Sequence, residues 1–267
     1  MNHDIDGFRN YLYEEELAPN TIDSYTFGVR KFFEKYDEVT KPNLIEFKQE
    51  LIDKFKPQTV NLRLTAVLKY CEWKGINLKI KHVKEPKKTY VENVITPRQV
   101  TSLLEGLKKD GKMRFYYYII LLSKTGMRIS EALKVKKKDI VKGCVTMPTK
   151  AHLRTIHFPK KLQNDMMPLL DSLNDEDTIM QNFYGQPLTS RGFAEELIKY
   201  GKKYGVPRNV LHAHAFRHFF AIEFLKRNNN IALLADLLGH GDVKVTQIYL
   251  RMSQKEQKDE IDKAVDW

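Results

Sequence analysis

Between Lys79 and Lys88 five lysines stand against a single Glu85, and Pro86 forbids a helix there. A polar, like-charged stretch of this kind cannot merge the apolar stripes on its two sides into one core. The chain is therefore expected to fold as two units, 1–86 and 96–267, joined by a linker over 87–95. The linker reads as solvated chain, and its charge also suits it to lie along phosphates. Before the break, apolar residues recur at helical spacing in four segments. Ile5, Phe8 and Leu12, with Tyr11, form the first; after Pro19-Asn20-Thr21 come Ile22, Tyr25, Val29, Phe32 and Phe33. Leu44, Phe47, Leu51 and Ile52 follow Lys41-Pro42, and Val60, Leu64, Val67, Leu68 and Cys71 run from Pro57 to Gly75. Four short helices with brief connections predict a helical bundle.

The second unit opens with Thr96-Pro97, a capping residue followed by a proline at the first helical position. A helix over Gln99–Lys108 ends at Gly111, and an apolar one from about Met113 to Lys124 is halted by Gly126. The pattern then turns strand-like through Ile140, Val141, Cys144, Val145 and Met147, and again through Thr155, Ile156 and Phe158. Pro148-Thr149-Lys150-Ala151 between them reads as a hairpin turn. Helices resume near Gly192–Gly205, Ala215–Lys226, Ile231–Leu238 and Val245–Met252. The expected fold class is mainly α: an all-helical bundle, then an α+β unit with one small antiparallel sheet.

Charge narrows the function. Across 267 residues, 45 Lys and Arg oppose 34 Asp and Glu, a formal net charge of +11. Residues 1–90 hold 16 basic and 14 acidic side chains, so most of the excess lies in the second unit. Such a balance favours an acidic partner: nucleic acid, a membrane surface or a polyphosphate. Two cysteines, Cys71 and Cys144, exclude a disulfide scaffold and a Cys-based zinc site. The N-terminal residues are acidic and polar without an apolar signal core, and the longest apolar run, Phe115 to Leu122, is too short to span a bilayer. A cytoplasmic protein with no membrane partner is expected.

The densest polar constellation is His212-Ala213-His214-Ala215-Phe216-Arg217-His218, followed by Leu237-Leu238-Gly239-His240. On a helix His214 and Arg217 share a face, and His218 lies one turn from His214. The histidine spacing would suit a metal, but no acid or cysteine stands among them and Arg217 opposes a cation, so no metal is expected. His212 and His218 read as capping or hydrogen-bonded structural residues. Arg217 sits on an apolar helix beside Phe216, Phe219, Phe220, Ile222 and Phe224 and calls for a buried anionic partner, which a phosphate would satisfy. Arg128 stands at the mouth of a helix after Gly126, with Glu131 placed to orient it; a salt bridge and a phosphate clamp fit equally. Lys150 at a hairpin tip suits plain solubility, and Tyr249 between Ile248 and Leu250 suits packing.

Taken in order, these pieces resemble the catalytic signature of the tyrosine recombinases, the phage-integrase and Xer type. TGMRISEAL (125–133) is similar to the family's first Arg box, HAFRH (214–218) to its His-x-x-Arg box, and LLGHGDVKVTQIY (237–249) to the box ending in the nucleophile. Tyr249 falls nine residues after His240, as in the family. Val245-Thr246 stands where two threonines are common, and Phe216 where leucine is; neither removes a catalytic group.

The resemblance covers the whole chain. It implies a SAM-like core-binding bundle over 1–86 and a catalytic domain with a C-terminal tail over 96–267, closing as a C-shaped clamp on double-stranded DNA. The additional arm-binding domain of larger members is expected to be missing. The implied activity is site-specific cleavage and rejoining of DNA through a 3′-phosphotyrosine, without metal, ATP or any other cofactor. Tyr249 would be the nucleophile and His214 the general base; Arg128 and Arg217 would hold the non-bridging oxygens. Lys150 would protonate the leaving 5′-oxygen, and His240 would hydrogen-bond the phosphate. Inverted-repeat half-sites, a tetramer on DNA, an association with the nucleoid and a tail docked on a neighbouring protomer are further implications, and an accessory protein is left open. Two alternatives share parts of this reading: a type IB topoisomerase acting on one duplex, and a DNA-binding regulator that forms no covalent bond.

Overall fold

The computed structural model describes residues 4–86, 91, 93–148, 153–250, 261–262 and 264–265, and the chain divides into two compact units, Met1–Lys87 and Lys88–Trp267. The first holds α1 (Ile5–Glu14), α2 (Pro19–Phe33), α3 (Lys41–Lys54) and α4 (Pro57–Trp73). Their starts are written in side chains that satisfy orphan amides. Asp4 accepts from Gly7 N at 2.8 Å and Thr40 from Asn43 N at 3.3 Å, while Pro19 and Pro57 open their helices where no donor is needed. Phe8, Leu12, Ile22, Val29, Ala66 and Tyr70 make one apolar cluster; Phe32, Tyr36, Leu44, Phe47, Leu51, Val60, Leu64, Val67 and Cys71 make a second. Ile52, expected inside, is exposed at the end of the α3 stripe.

The basic stretch after Gly75 is only partly solvated. Leu78, Ile80 and Val83 pack against the second cluster, while Lys79, Lys81 and Lys84 face water. Asn61 fastens this strand-like run, its amide donating to the Val83 carbonyl at 3.0 Å and its oxygen accepting from Val83 N at 2.8 Å. Leu78 and Ile80 alternate with Lys79 and Lys81, so the apolar pair lies on the bundle and the basic pair stays free; Val83 resumes the packing after His82. Lys87 and Lys88 lie outside the described residues.

In the second unit, Ile95 is already buried, and Thr96 and Gln99 form a reciprocal capping box at the start of α5 (Pro97–Lys109). α6 (Met113–Thr125) is buried on nearly every face from Phe115 onward and is the spine of the unit. Then come α7 (Ile129–Ala132) and α8 (Lys137–Lys142). Ile140 and Val141, expected in a strand, belong to α8 instead: Lys136 N donates to Asp139 at 2.9 Å, and Gly143 closes the helix in the left-handed region. The sheet is the antiparallel pair β1 (Cys144–Pro148) and β2 (Leu153–His157), in register from Cys144 opposite His157 to Pro148 opposite Leu153. The expected hairpin is therefore present, but Lys150 at its turn lies outside the described residues.

α9 (Lys160–Leu170) was not anticipated. Its stripe of Leu162, Met166, Leu169 and Leu170 is helical in period, but Pro159 and Pro168 punctuate it like a loop. α10 (Ser190–Lys203), α11 (Ala213–Leu225) and α12 (Ile231–Leu238) match the remaining apolar stripes, the last residue for residue. Where a continuous helix over Val245–Met252 was expected, the chain forms α13 (Val243–Thr246) and then a 3₁₀ turn, Gln247–Leu250. Thr246 is fully buried and anchored, which ends α13 early and places Tyr249 on the tighter turn. No helix among the described residues is long and apolar enough to cross a membrane.

Candidate active site

Two helix ends meet α11 where the sequence motifs converge. α6 closes at Gly126, whose φ of +60° only glycine adopts freely; a Cβ there would also meet Phe220 of α11 at 2.3 Å. The end of α6 is thereby pressed onto α11. α12 closes in the same way at Gly239, with φ +64°. Arg217 of α11 lies between these two ends, 1% exposed, donating from Nη1 to the Gly126 carbonyl at 3.0 Å and from Nη2 to the Leu238 carbonyl at 2.5 Å. Carbonyls at the negative ends of two helices thus take up donors of Arg217. These hold the guanidinium in place without neutralising it.

A second buried arginine completes the frame. Arg154 of β2 donates to Glu131 at 2.7 Å and to the Leu237 carbonyl, and its side chain is 1% exposed. It escaped the sequence reading, although a signal was present: Arg154 falls in the buried phase of the strand, with Ile156 and Phe158. Glu131 also accepts from Arg128 N at 2.7 Å and from Arg128 Nη1 at 3.0 Å, so the carboxylate orients Arg128 as expected and braces Arg154 as well. Three arginines around Glu131 leave an excess of positive charge. Burial, with the charges of Arg128 and Arg154, draws Arg217 down to about 10. An anion entering this site would relieve that repulsion.

Gly239 seals the frame. A Cβ there would lie 2.5 Å from Cδ of Arg154, a side chain pinned at its far end and unable to swing away. Gly239→Ala is expected to destabilise the protein by about 2 kcal/mol, from the left-handed backbone and the displaced guanidinium together. Chemical denaturation checks this, and an unchanged midpoint would mean that Arg154 is not held as tightly as its bonds suggest.

The histidines lie around Arg217. His212 caps α11, accepting from Ala215 N at 3.1 Å, as its structural reading predicted. His214 reaches the surface, yet partial desolvation, and then Arg217, lower its proton affinity. His240 shares a hydrogen bond with the Thr246 hydroxyl at 2.7 Å; burial, then Arg217, Arg128 and Arg154, brings it to about 4. His218, read as a capping or hydrogen-bonded residue, is hydrogen-bonded, and its partner is Tyr249. Its Nδ1 lies 2.8 Å from the Tyr249 hydroxyl, and its ring meets His214 edge-on with centroids 4.5 Å apart. Burial and the neighbouring His214 and His212 lower it to about 4. Tyr249 packs against the buried cluster of Ala221, Leu225, Leu234 and Leu238 as a packing residue would, but its hydroxyl turns to His218. Burial raises the phenol above its ordinary range, with Arg217 pulling the other way.

This fold is that of the tyrosine recombinases. The XerA recombinase crystal structure superimposes with a TM-score of 0.55 at 22% identity over 98% of both chains. A lambda integrase dimer bound to a COC′ core site gives 0.74 at 15% identity, over 92% of this chain and 94% of that one. In sequence, the tyrosine recombinase XerA of Pyrococcus furiosus is 30% identical over 271 residues, 97% of this chain and 93% of its own. The XerA of Thermococcus kodakarensis is 27% identical over 273 residues, 98% of this chain and 95% of its own. Residues 93–256 match the model of the phage integrase family, and the chain belongs to that family.

Proposed function

We propose that this protein is a site-specific DNA recombinase that cleaves and rejoins DNA through a 3′-phosphotyrosine, with Tyr249 as the nucleophile. The observation that carries the assignment is the Tyr249 hydroxyl, held at 2.8 Å by an imidazole on the same helix that buries Arg217. A phosphodiester set against Arg128 and Arg217 would take up the uncompensated positive charge, and those arginines would hold its non-bridging oxygens. His214 and His240 would face the same phosphate. Lys150, from the β1–β2 turn, would give its proton to the departing 5′-oxygen. Fixed cations stabilise the transition state in this scheme, so it uses neither metal nor ATP. The phosphotyrosyl ester conserves the energy of the broken bond, and a 5′-hydroxyl from a partner duplex can re-seal it.

The first unit serves as the core-binding module, adding phosphate and groove contacts from its helices and from the exposed Lys79, Lys81 and Lys84. The double-stranded DNA carries inverted-repeat half-sites, and four copies of the chain assemble on two duplexes in the cytoplasm, at the nucleoid, with or without an accessory protein. Ile261 and Val265 of the tail are exposed and would dock on a neighbouring copy. The test is covalent capture. Wild type mixed with random-sequence duplexes, nicked so that the short cleaved end diffuses away, should remain bonded to DNA after denaturation. The captured pool should share one half-site motif, and the modified peptide should contain Tyr249. An adduct on another residue would overturn the assignment.

A further inference from the structure

We propose that His218 is the catalytic base of this enzyme: its Nδ1 takes the Tyr249 proton as the phenolic oxygen attacks phosphorus. The inference rests on the assignment of Tyr249 as nucleophile and goes beyond it. The sequence motif places the base role on His214, yet among the described residues no hydrogen bond joins His214 to Tyr249, whereas His218 sits at 2.8 Å from the hydroxyl. A proton acceptor must first be within hydrogen-bond reach of the proton it removes, and His218 meets that condition. A buried phenol beside an apolar cluster is a poor nucleophile until something accepts its proton.

The surroundings define when His218 can act. His212, His214 and Arg217 on its own helix, His240 from the segment after α12, and the Tyr249 hydroxyl from the 3₁₀ turn face it. Burial and these groups keep the ring neutral and free to accept. To serve as base, Nδ1 must be the acceptor, which puts the ring's own proton on Nε2. A phosphodiester brings a negative charge against Arg217 and Arg128. That charge offsets the repulsion an imidazolium would feel and raises the basicity of His218 when substrate arrives. In the step itself the Tyr249 O–H bond breaks and its electron pair forms the bond from oxygen to phosphorus. The proton passes to Nδ1, and the P–O5′ bond breaks with its electron pair on the 5′-oxygen. On rejoining, the incoming 5′-hydroxyl gives its proton back to the Lys150 amine that protonated it on leaving; its oxygen bonds to phosphorus, the P–O bond to tyrosine breaks, and the tyrosine oxygen recovers the proton from His218. His214, stacked edge-on against His218, is left to contact the phosphate.

The experiment is the pH dependence of covalent capture, using the nicked random-sequence pool as probe, for wild type, His218→Gln and His214→Gln, with Tyr249→Phe as blank. With His218 as base, the wild-type rate should be nearly flat from about pH 6 to 9. His218→Gln should fall about 10²-fold at pH 7 and then rise tenfold per pH unit, because attack now waits on the free phenolate. His214→Gln should lose rate but keep the flat profile. A His218→Gln profile parallel to wild type would overturn the proposal while leaving Tyr249 as nucleophile. So would a wild-type rate that itself rises tenfold per unit, which is readable even if His218→Gln fails to fold. Capture by Tyr249→Phe, or no capture by wild type at any pH, would remove the nucleophile assignment and this proposal with it.

Discussion

Tyr249→Phe is expected to bind duplex DNA as wild type does and to form no covalent adduct. The rate should drop by at least about 10⁴-fold, the scale on which removing a nucleophile disables an enzyme built around one. The fold should tolerate the change. The side chain of residue 249 packs against the cluster of Ala221, Leu225, Leu234 and Leu238, and phenylalanine keeps the ring that does so. The lost hydroxyl gives up one hydrogen bond, to a partly exposed His218, at a cost of about 1 kcal/mol. Binding and stability therefore report separately from chemistry: filter or gel-shift affinity and thermal unfolding stay near wild type while the adduct disappears. A DNA-binding regulator with this architecture would give no adduct from wild type either, so the pair of proteins separates the two readings. An adduct that survived the substitution would mean that the hydrogen-bonded tyrosine is a packing residue and the nucleophile lies elsewhere.

How much of this is legible in the amino-acid sequence depends on whether a residue's partner is local. Helical stripes, proline starts and glycine stops are local, and α12 was readable to the residue. The capping role of His212 and the Arg128–Glu131 pair were equally local, three residues apart in each case. Arg154 was missed although its phase in β2 marked it as buried, because a two-stranded hairpin reads by its apolar members and an arginine among them looks like solvent-facing decoration. The partner of His218 was hidden for a deeper reason: it arrives 31 residues later, on the turn that follows the Gly239 reversal and the His240–Thr246 bond. The same limit explains Arg217. Sequence showed an arginine that needed a buried acceptor, and only the convergence of α6 and α12 revealed that two main-chain carbonyls supply it.

Glu131→Gln is expected to cost about 3 kcal/mol of stability, which for a unit of this size lowers Tm by roughly 6–12 °C. The carboxylate accepts from Arg128 N, Arg128 Nη1 and Arg154 Nη1, and it is the negative charge that lets Arg154 stay charged in the interior. Glutamine keeps the shape and some acceptor capacity but removes the charge, leaving Arg154 ionised, buried and opposed by Arg128. The acid limb of stability carries an independent signature. Burial alone would raise the Glu131 carboxyl, but the Arg128 amide and the two guanidinium charges outweigh it and hold the group below its ordinary 4.5. A carboxyl depressed in the fold contributes fully above its unfolded value and loses that contribution as pH falls through the folded one. Wild type should therefore lose stability below about pH 4.5 by an amount that Glu131→Gln does not lose, and the two curves should converge in acid. A further comparison separates charge from shape. Glu131→Leu combined with Arg154→Met removes both ions, so the double variant should be more stable than the sum of the two single changes predicts. Strict additivity would mean that Arg154 is held by the Leu237 carbonyl rather than by Glu131. The frame that keeps Arg217 and Arg128 charged and aimed would then owe its strength to the helix ends alone.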